Sequence, residues 1–338
     1  MSNRYGVAMA PFGFESTTDD VLAGLDLTGK RVLVTGASTG LGEETTRALA
    51  SHGAAVTLGV RDAQRGEAAI QRIADAITAD GGDVADLELL EMDLADLNSV
   101  RHAATQFLER HQRLDILINN AGLMACPYGT TVDGFELQWG TNHLGHFLLA
   151  NLLLPALRAG SPARVVSLSS GGHTYSDIDL DDPGFERGEY NPFTAYGRAK
   201  TANALFAVGW DRRFGDSDGI RAFSVHPGGI HTELGRHMTP EVIGELRASL
   251  QDRADKAGTA KFRWKTVPQG AATSVWAATA AELDNHGGAY LEDCSVGVEV
   301  PEKCGHGYLA YAREPDNAER LWAYSLDAVG LPAESPEH

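Results

Sequence analysis

The stretch RVLVTGASTGLG, residues 31–42, decides the fold of this chain. RVLVT is a short valine-rich apolar run, as expected of a buried β-strand, and a helix-compatible pattern runs from Leu41 to about Ser51. Between them, glycines 36, 40 and 42 allow a sharp turn and bring backbone N–H groups close to a pyrophosphate at a helix N-terminus. This order predicts a dinucleotide site, with a purely structural turn as the alternative. The expected contacts are Gly36, Ser38, Thr39, Gly40, Leu41 and Gly42.

Strand-like and helix-compatible runs alternate along the rest of the chain. Because the strands are almost continuously apolar, the pattern predicts a parallel sheet covered by helices on both faces. We expect an α/β Rossmann fold, doubly wound, with about seven strands in a single domain. The expected strands are 31–35, 55–60, 86–92, 115–119, 163–169, 220–225 and 289–291.

No stretch has the composition of an interdomain linker, so residues 1–338 are expected to form one dinucleotide-binding domain with additions. Apolar residues in one addition, 233–266, suggest a lid over a lipophilic substrate, but they equally suit an ordinary amphipathic helix. The other additions are an N-terminal extension (1–28), a Gly/Asp-rich insert (171–191) and a C-terminal extension (292–338).

The balance of charge excludes several classes of partner. With 28 Lys and Arg against 46 Asp and Glu, the net charge is −18, which disfavours binding to nucleic acid or to an anionic membrane. No apolar run reaches the roughly 18 residues of a membrane span, and the N-terminus does not resemble a signal peptide, so a cytoplasmic protein is expected. The 3 cysteines and 12 scattered histidines lack metal-ligand spacing, so no metal site is predicted.

The end of the second expected strand bears on the choice of dinucleotide. Val60 stands where an acidic residue would receive the ribose hydroxyls, and Arg61 follows it, able to pair with a 2′-phosphate. This favours NADP. Asp62, about twenty residues after the glycines, keeps NAD open as the alternative.

A tyrosine and a lysine lie four residues apart in NPFTAYGRAKTANALF, residues 191–206, whose composition favours a helix. Tyr196 and Lys200 would then share one helix face. Because a nearby ammonium favours the ionised phenol, we expect Lys200 to lower the pKa of Tyr196 from about 10 towards neutrality. Such a pair can exchange a proton with a substrate, or it can simply lie on a solvated helix face.

Several motifs occur together in the order found in short-chain dehydrogenases/reductases, and the chain resembles this family from about Gly29 to Leu331. TGASTGLG resembles the family's cofactor loop, and MDL, with Asp93, resembles its adenine contact. The remaining matches are NNAG (119–122), NHLGHF (142–147), SLSS (167–170), the YxxxK pair (196 and 200) and HPGGIHTEL (226–234). One such motif could arise by chance, but the ordered set identifies the family.

Two longer stretches, residues 119–157 and 317–332, look most similar to the branch containing retinol dehydrogenases and WW-domain oxidoreductases. That resemblance implies carbonyl and alcohol redox chemistry, often on lipophilic substrates and often with NADP. The chain departs from that branch by having no apolar N-terminal anchor and no WW domains, which puts retinoid as a substrate in doubt.

The resemblance also implies roles for individual residues. Tyr196 would act as the acid or base, Lys200 would tune it and bind ribose, and Ser170, or else its neighbour Ser169, would donate a hydrogen bond to the carbonyl oxygen. Asn142 would hold a water beside Lys200, or alternatively bend its helix. The remaining implied cofactor contacts are Asp93, Leu94, Asn120, Ala121, Gly122, Tyr196, Lys200, Pro227, Gly228, Ile230 and Thr232.

The sequence therefore predicts an NADP(H)-dependent oxidoreductase that interconverts a carbonyl and an alcohol on a small, lipophilic molecule. The alternatives are an NAD-dependent alcohol dehydrogenase of the same fold and a catalytically silent dinucleotide sensor. By the same resemblance, a homodimer or homotetramer is expected through helices around 142–157 and 196–214, unless the C-terminal extension blocks one of these surfaces.

Overall fold

The computed structural model describes residues 12–256, 262–303 and 305–333. Parts of three predicted segments lie outside the described residues, namely 1–11 of the N-terminal extension, 257–261 of the predicted lid, and Cys304 and 334–338 of the C-terminal extension. The described residues form one α/β domain with helices on both faces of a central sheet, so the predicted fold class is confirmed.

The strands are β1 (Arg31–Thr35), β2 (Ala55–Val60), β3 (Leu87–Glu91), β4 (Ile116–Asn119), β5 (Ala163–Leu168), β6 (Ile220–His226), β7 (Tyr290–Glu292) and β8 (Ser295–Val296). They form one sheet in the order β3-β2-β1-β4-β5-β6-β7-β8. The first seven strands are parallel, as predicted, and β8 adds a short antiparallel edge beside β7. The strand order reverses between β1 and β4, where open sheets of this kind bind ligands at the carboxyl ends of their strands.

The α-helices are α1 (Thr18–Leu22), α2 (Gly40–Ser51), α3 (Ala63–Ala79), α4 (Leu97–Arg110), α5 (Leu137–Trp139), α6 (Gly145–Leu152), α7 (Leu154–Gly160), α8 (Pro192–Asp218), α9 (Pro240–Lys256), α10 (Val267–Thr279) and α11 (Pro315–Ala328). Short 3₁₀ helices span Gly171–Tyr175, Glu233–Gly235, Ala281–Leu283 and Ala310–Arg313, and a π-helical turn spans Gly140–Leu144. In the described part of the chain, none of the helices combines the length and apolar composition needed to cross a bilayer.

Alternate residues of each strand supply two separate cores. On β1, Leu33 packs with α4, α6, α8 and α11, whereas Val32 and Val34 pack on the other face with α1, α2, α3 and α10. Both faces of the strand are therefore buried, which explains why it has no alternation of polar and apolar residues.

Local signals in the sequence set the ends of the long helix α8. The Asn191 side chain caps its N-terminus by accepting from Phe193 N and Thr194 N, each at 3.0 Å, and Pro192 occupies the first turn. Gly219, with φ of +67°, ends the helix in the left-handed conformation that glycine adopts without strain. This helix carries Tyr196 and Lys200 to the carboxyl edge of the sheet.

The C-terminal helix α11 covers the outer side of α8. Its Trp322 is 2% exposed and lies against Phe206, Phe147 and the Arg213 guanidinium, with ring or cation distances between 4.3 and 6.1 Å. An added Cβ at Gly209 would lie 3.0 Å from the Trp322 ring. Helix α11 of the C-terminal extension is thus built into the core.

Candidate active site

The glycine loop lies at the reversal of strand order and has no room for side chains. A Cβ at Gly42 would lie 2.3 Å from the Gly36 carbonyl oxygen and 2.5 Å from Asn120 Nδ2. Gly36 has φ of +66°, and a Cβ there would lie 2.8 Å from Ala121 Cα. The loop therefore requires glycine and presents its bare backbone, which fits the close approach of a dinucleotide pyrophosphate.

The N-terminus of α2 follows directly and has no side-chain cap, because Thr39 at the N-cap position makes no such hydrogen bond. The N–H groups of the first turn can therefore bind an anion. Arg72 stabilises the outer side of the loop by donating to the Ser38 carbonyl at 3.0 Å and pairing with Glu43 at 2.7 Å.

Two residues after β2, Arg61 and Asp62, bear on the choice between NADP and NAD. They differ in the contacts that they make. Asp62 is the N-cap of α3, and its carboxylate accepts from Arg65 N at 3.0 Å. Arg61 is exposed at the same edge. The carboxylate that could receive ribose hydroxyls is thus already used by the backbone, whereas the guanidinium faces solvent.

After β3, Asp93 shapes the loop at the predicted adenine contact. Its carboxylate accepts from Ala95 N at 2.9 Å, and its own N–H donates to Ser99 Oγ at 3.0 Å. Leu94 is buried, and its carbonyl oxygen would lie 2.5 Å from a Cβ on Gly145. These two residues therefore join the loop after β3 to α4 and α6.

NNAG connects β4 to the glycine loop through the Thr35 hydroxyl. This oxygen accepts from Asn120 N at 2.9 Å and from Ala121 N at 3.0 Å, while Asn120 Nδ2 donates to the Thr35 carbonyl at 2.8 Å. His146 Nε2 lies 2.8 Å from the same hydroxyl. The motif thus fixes the two loops whose glycines would surround the nucleotide.

Asn142 lies within the π-helical turn, fully buried, and its amide is held at both ends. Its Oδ1 accepts from Leu123 N at 2.8 Å and its Nδ2 donates to the Leu123 carbonyl at 2.9 Å. A Cβ on Gly122 would lie 3.4 Å from Asn142 Oδ1 and 3.7 Å from Lys200 Nζ. Asn142 and Lys200 therefore both lie close to Gly122.

Tyr196 and Ser170 meet at the carboxyl edge of the sheet. Tyr196 is buried, and a Cβ on Gly172 would lie 2.6 Å from its ring. The Ser170 hydroxyl accepts from Gly172 N at 3.0 Å and faces the Tyr196 phenol. The Ser170 hydroxyl hydrogen remains able to bond a substrate oxygen.

Ser169 has a different environment. Its hydroxyl is buried and donates to the Lys200 carbonyl at 2.7 Å. It therefore ties β5 to the backbone of α8, and of the two serines only Ser170 faces Tyr196.

Lys200 lies beside the tyrosine, with Nζ 5.6 Å from the centre of the Tyr196 ring, and donates to the Leu168 carbonyl at 2.7 Å. Burial lowers the pKa of Lys200 to about 7 and raises the pKa of Tyr196 to about 12. The expectation that Lys200 lowers the pKa of Tyr196 towards neutrality is wrong for this structure. The physical reason is that burial removes both groups from water, which disfavours the charged form of each.

The loop after β6 approaches the glycine loop from the other side. A Cβ on Gly40 would lie 3.4 Å from Thr232 Cγ2, and one on Gly228, whose φ is +97°, would lie 3.0 Å from Lys265 Cδ. Ile230 lies against Gly270 and is paired by a β-bridge with Lys265. Thr232 thus lies beside Gly40, and Ile230 and Leu41 both lie against Gly270.

The described part of segment 233–266 lies over the start of α8. A cavity of 340 Å³ separates α9 from the first turn of α8 and from the 3₁₀ helix after β5. Its lining is mixed, with Tyr175, Phe193, Val242 and Leu246 as the larger apolar groups and Asn191, Thr194, Glu245 and Ser249 as the polar ones.

Three groups near this site, of which Lys265 and His173 are buried, were not assigned a role from the sequence. His226 Nδ1 accepts from Gly171 N at 3.0 Å and so joins the loops after β5 and β6. Lys265 pairs with Asp293 at 2.6 Å beneath the loop containing Gly228. His173 is fully buried, and its Nδ1 lies 2.7 Å from the Ser170 carbonyl oxygen. The position of His226 immediately before Pro227 is the one local signal that could have indicated such a role.

Comparison with known proteins agrees with this geometry. The family profile described as short chain dehydrogenase matches residues 30–242. A short-chain dehydrogenase/reductase named prx1 from Penicillium roqueforti is 42% identical over 308 residues, covering 89% of this chain and 85% of that protein. Human retinol dehydrogenase 13 is 38% identical over 307 residues, covering 91% of this chain and 86% of that protein.

A crystal structure of an uncharacterized protein from Mycobacterium paratuberculosis is also similar, with a TM-score of 0.69 and 32% identity, covering 95% of this chain and all of that one. The match to the family profile thus includes both the glycine loop and the tyrosine and lysine pair. The chain belongs to the short-chain dehydrogenase/reductase family and is an oxidoreductase that uses a nicotinamide dinucleotide.

Proposed function

We propose that the protein is an NADP(H)-dependent oxidoreductase that interconverts a ketone or aldehyde and an alcohol, with Tyr196 as the acid and base. The observation that carries this proposal is the convergence of the Tyr196 phenol, the Ser170 hydroxyl and the Lys200 ammonium at the carboxyl edge of the sheet. The alternative of a solvated helix face does not fit a tyrosine and a lysine that are both buried.

Reduction of a carbonyl leaves negative charge on its oxygen, which needs a proton from a group within hydrogen-bonding reach. Because burial raises the pKa of Tyr196 to about 12, the phenol carries its proton at neutral pH and can donate it. The Ser170 hydroxyl donates a hydrogen bond to the same oxygen. In the oxidative direction the phenol must first lose its proton, which the charged form of Lys200 favours.

The dinucleotide would be held by the glycine loop, the N-terminus of α2, NNAG and the loop after β6, and when bound it supplies or accepts the hydride. Lys200 would contact the ribose hydroxyls next to Tyr196. Asn142, whose side-chain amide is fully engaged with Leu123, would hold the shape of the space beside Lys200 in which a water can lie. The crowding at Gly36 and Gly42, where a side chain does not fit, supports the glycine loop as the part that meets the pyrophosphate.

The preference for NADP rests on the end of β2. The Asp62 carboxylate is engaged as the cap of α3, which supports Arg61 as the residue that meets the nucleotide, and a guanidinium suits a 2′-phosphate. The substitution Arg61→Asp should weaken binding of NADPH more than that of NADH. Equal losses for both nucleotides would refute the preference.

The substrate would enter the cavity between α9 and the start of α8. Tyr175, Phe193, Val242 and Leu246 support a lipophilic substrate, and segment 233–266 would act as its lid. The test is a panel of aldehydes, ketones and secondary alcohols of rising apolar size with NADPH, NADH and their oxidised forms. Rates that do not rise with apolar size would contradict the lipophilic assignment.

The experiment that tests the chemistry is Tyr196→Phe, which keeps the ring and removes only the hydroxyl. We expect kcat to fall by at least about a hundredfold, the usual contribution of a positioned acid, while NADPH binding is retained. Tyr128→Phe is the matched control, because Tyr128 is 54% exposed and outside this cluster. Undiminished turnover by Tyr196→Phe would refute the mechanism, and NADPH binding without turnover by the parent protein would favour a silent sensor.

A homodimer or homotetramer remains part of the proposal. Because α11 covers the side of α8 and α6 that contains Phe206 and Phe147, association through that surface would require α11 to leave. Light scattering in solution tests the prediction, and a monomer at all concentrations would contradict it.

A further inference from the structure

The carbonyl group of Ser170 is held by two donors from one residue. His173 N donates to Ser170 O at 3.0 Å, and His173 Nδ1 lies 2.7 Å from the same oxygen. His173 belongs to the 3₁₀ helix Gly171–Tyr175 and is fully buried. The backbone that carries the Ser170 hydroxyl is thus fixed from within the next turn.

The other ring nitrogen of His173 faces the C-terminal extension. Leu309 N donates to His173 Nε2 at 3.2 Å, and because a backbone N–H can only donate, Nε2 must be the acceptor. The proton of the neutral ring is therefore on Nδ1, which makes Nδ1 the donor to Ser170. Burial lowers the pKa of His173 to about 4, so this neutral form persists at physiological pH.

The C-terminal extension holds the backbone of His173 as well. The Tyr311 hydroxyl donates to the His173 carbonyl at 2.9 Å. From β7, the Tyr290 ring lies against the imidazole with ring centres 5.2 Å apart. The turn fixed in this way packs directly on the catalytic candidate, since a Cβ on Gly172 would lie 2.6 Å from the Tyr196 ring. A chain of contacts therefore runs from Leu309 through His173 to Ser170 and Tyr196.

We propose that His173 is a positioning residue that orients Ser170 for the reaction and makes the C-terminal extension part of the catalytic scaffold. The inference rests on the role proposed for Ser170. His173 itself does not touch the substrate and transfers no proton. Its function is geometric, with one ring nitrogen serving the active site and the other serving residues 308–313.

The two ring nitrogens can be tested separately with two amides. His173→Asn can place an N–H near the position of Nδ1 and keep the bond to Ser170, but it loses the acceptor for Leu309. His173→Gln can place a carbonyl oxygen near Nε2 and keep the bond from Leu309, but it loses the donor to Ser170. Tyr311→Phe is a milder third variant, and exposed His102→Gln on α4 is the control for exchanging a histidine.

We expect His173→Gln to lower kcat about tenfold, the effect of one lost buried hydrogen bond, with the KM for NADPH unchanged. His173→Asn should recover most of that loss but accelerate amide hydrogen exchange at residues 308–313. Tyr311→Phe should also accelerate exchange there and lower kcat by a smaller factor, and His102→Gln should match the parent protein.

Equal losses of kcat in the Asn and Gln variants, or a Gln variant with the parent kcat, would overturn the role of His173. Ser170→Ala separates this failure from failure of the proposed function. If Ser170→Ala lowers kcat and His173→Gln does not, only the positioning role is wrong. If Ser170→Ala turns over at the parent rate, the role of Ser170 is wrong and the inference falls with it.

Discussion

Replacement of Lys200 by Met should abolish one specific part of the pH dependence of stability. Burial lowers the pKa of Lys200 from 10.5 to about 7. Each unit of such a change corresponds to about 1.4 kcal/mol of free energy. Between these two values the unfolded chain binds a proton that the folded chain does not. Raising the pH in this range therefore stabilises the fold, and from about pH 7 to about pH 9.5 Lys200 alone should contribute about 3 kcal/mol.

Methionine has nearly the same length and no charge, so the variant should lack this gain. The assay is urea unfolding of the parent protein and the variant without added nucleotide at several pH values. The quantity compared is the difference between their free energies of unfolding at each pH. This difference removes the contributions of titrating groups that both proteins contain. One of them is Tyr196, whose raised pKa makes the fold less stable as the pH rises above about 10. Parallel stability curves for the two proteins would refute the argument that Lys200 is held in a poorly solvated position. Loss of oxidoreductase activity in the variant would be an independent consequence.

Three further outcomes follow from the structure. Gly42→Ala should weaken NADPH binding at least about tenfold, because its Cβ would lie 2.3 Å from the Gly36 carbonyl oxygen, whereas Gly244→Ala in α9, where no atom lies within 4 Å, should bind normally. Burial lowers the pKa of His143 to about 3, so the free energy of unfolding falls as the pH drops below about 6.5. In urea unfolding, His143→Gln should reduce the fall in this free energy between about pH 7.5 and 5.5 by about 1 kcal/mol. Trp322→Ala should cost about 3–5 kcal/mol in the same assay, and a cost below about 1 kcal/mol would contradict its place in the core.

Short-range sequence signals predicted the elements well. The strands at 31–35 and 55–60 were predicted at their observed bounds, and the others were correct to within about one residue, because apolar runs and turn residues act locally. β8 was missed, since a two-residue strand leaves no periodic pattern. The π-helical turn around Asn142 was also not foreseen, because it differs from an α-helix only in hydrogen bonding.

The sequence named candidate site residues, but it did not predict the hydrogen-bond partners of each one. The sequence left Ser169 and Ser170 undecided, and their partners distinguish them, since Ser169 bonds the Lys200 carbonyl and Ser170 faces Tyr196. From its spacing Asp62 was considered only as a ribose ligand, and in the structure it caps α3. Each choice depends on neighbours that come from other parts of the chain.

The sequence by itself determined the succession of strands and helices, the glycine loop and the spacing of Tyr196 and Lys200 on one helix, because these depend on the conformational preferences of a few adjacent residues. Only the tertiary structure decided the electrostatics, since pKa shifts arise from removing groups from water and that requires the whole chain to pack around them. It also decided the contact between His173 and Leu309, which lie 136 residues apart and meet only when the C-terminal extension closes over the turn after β5.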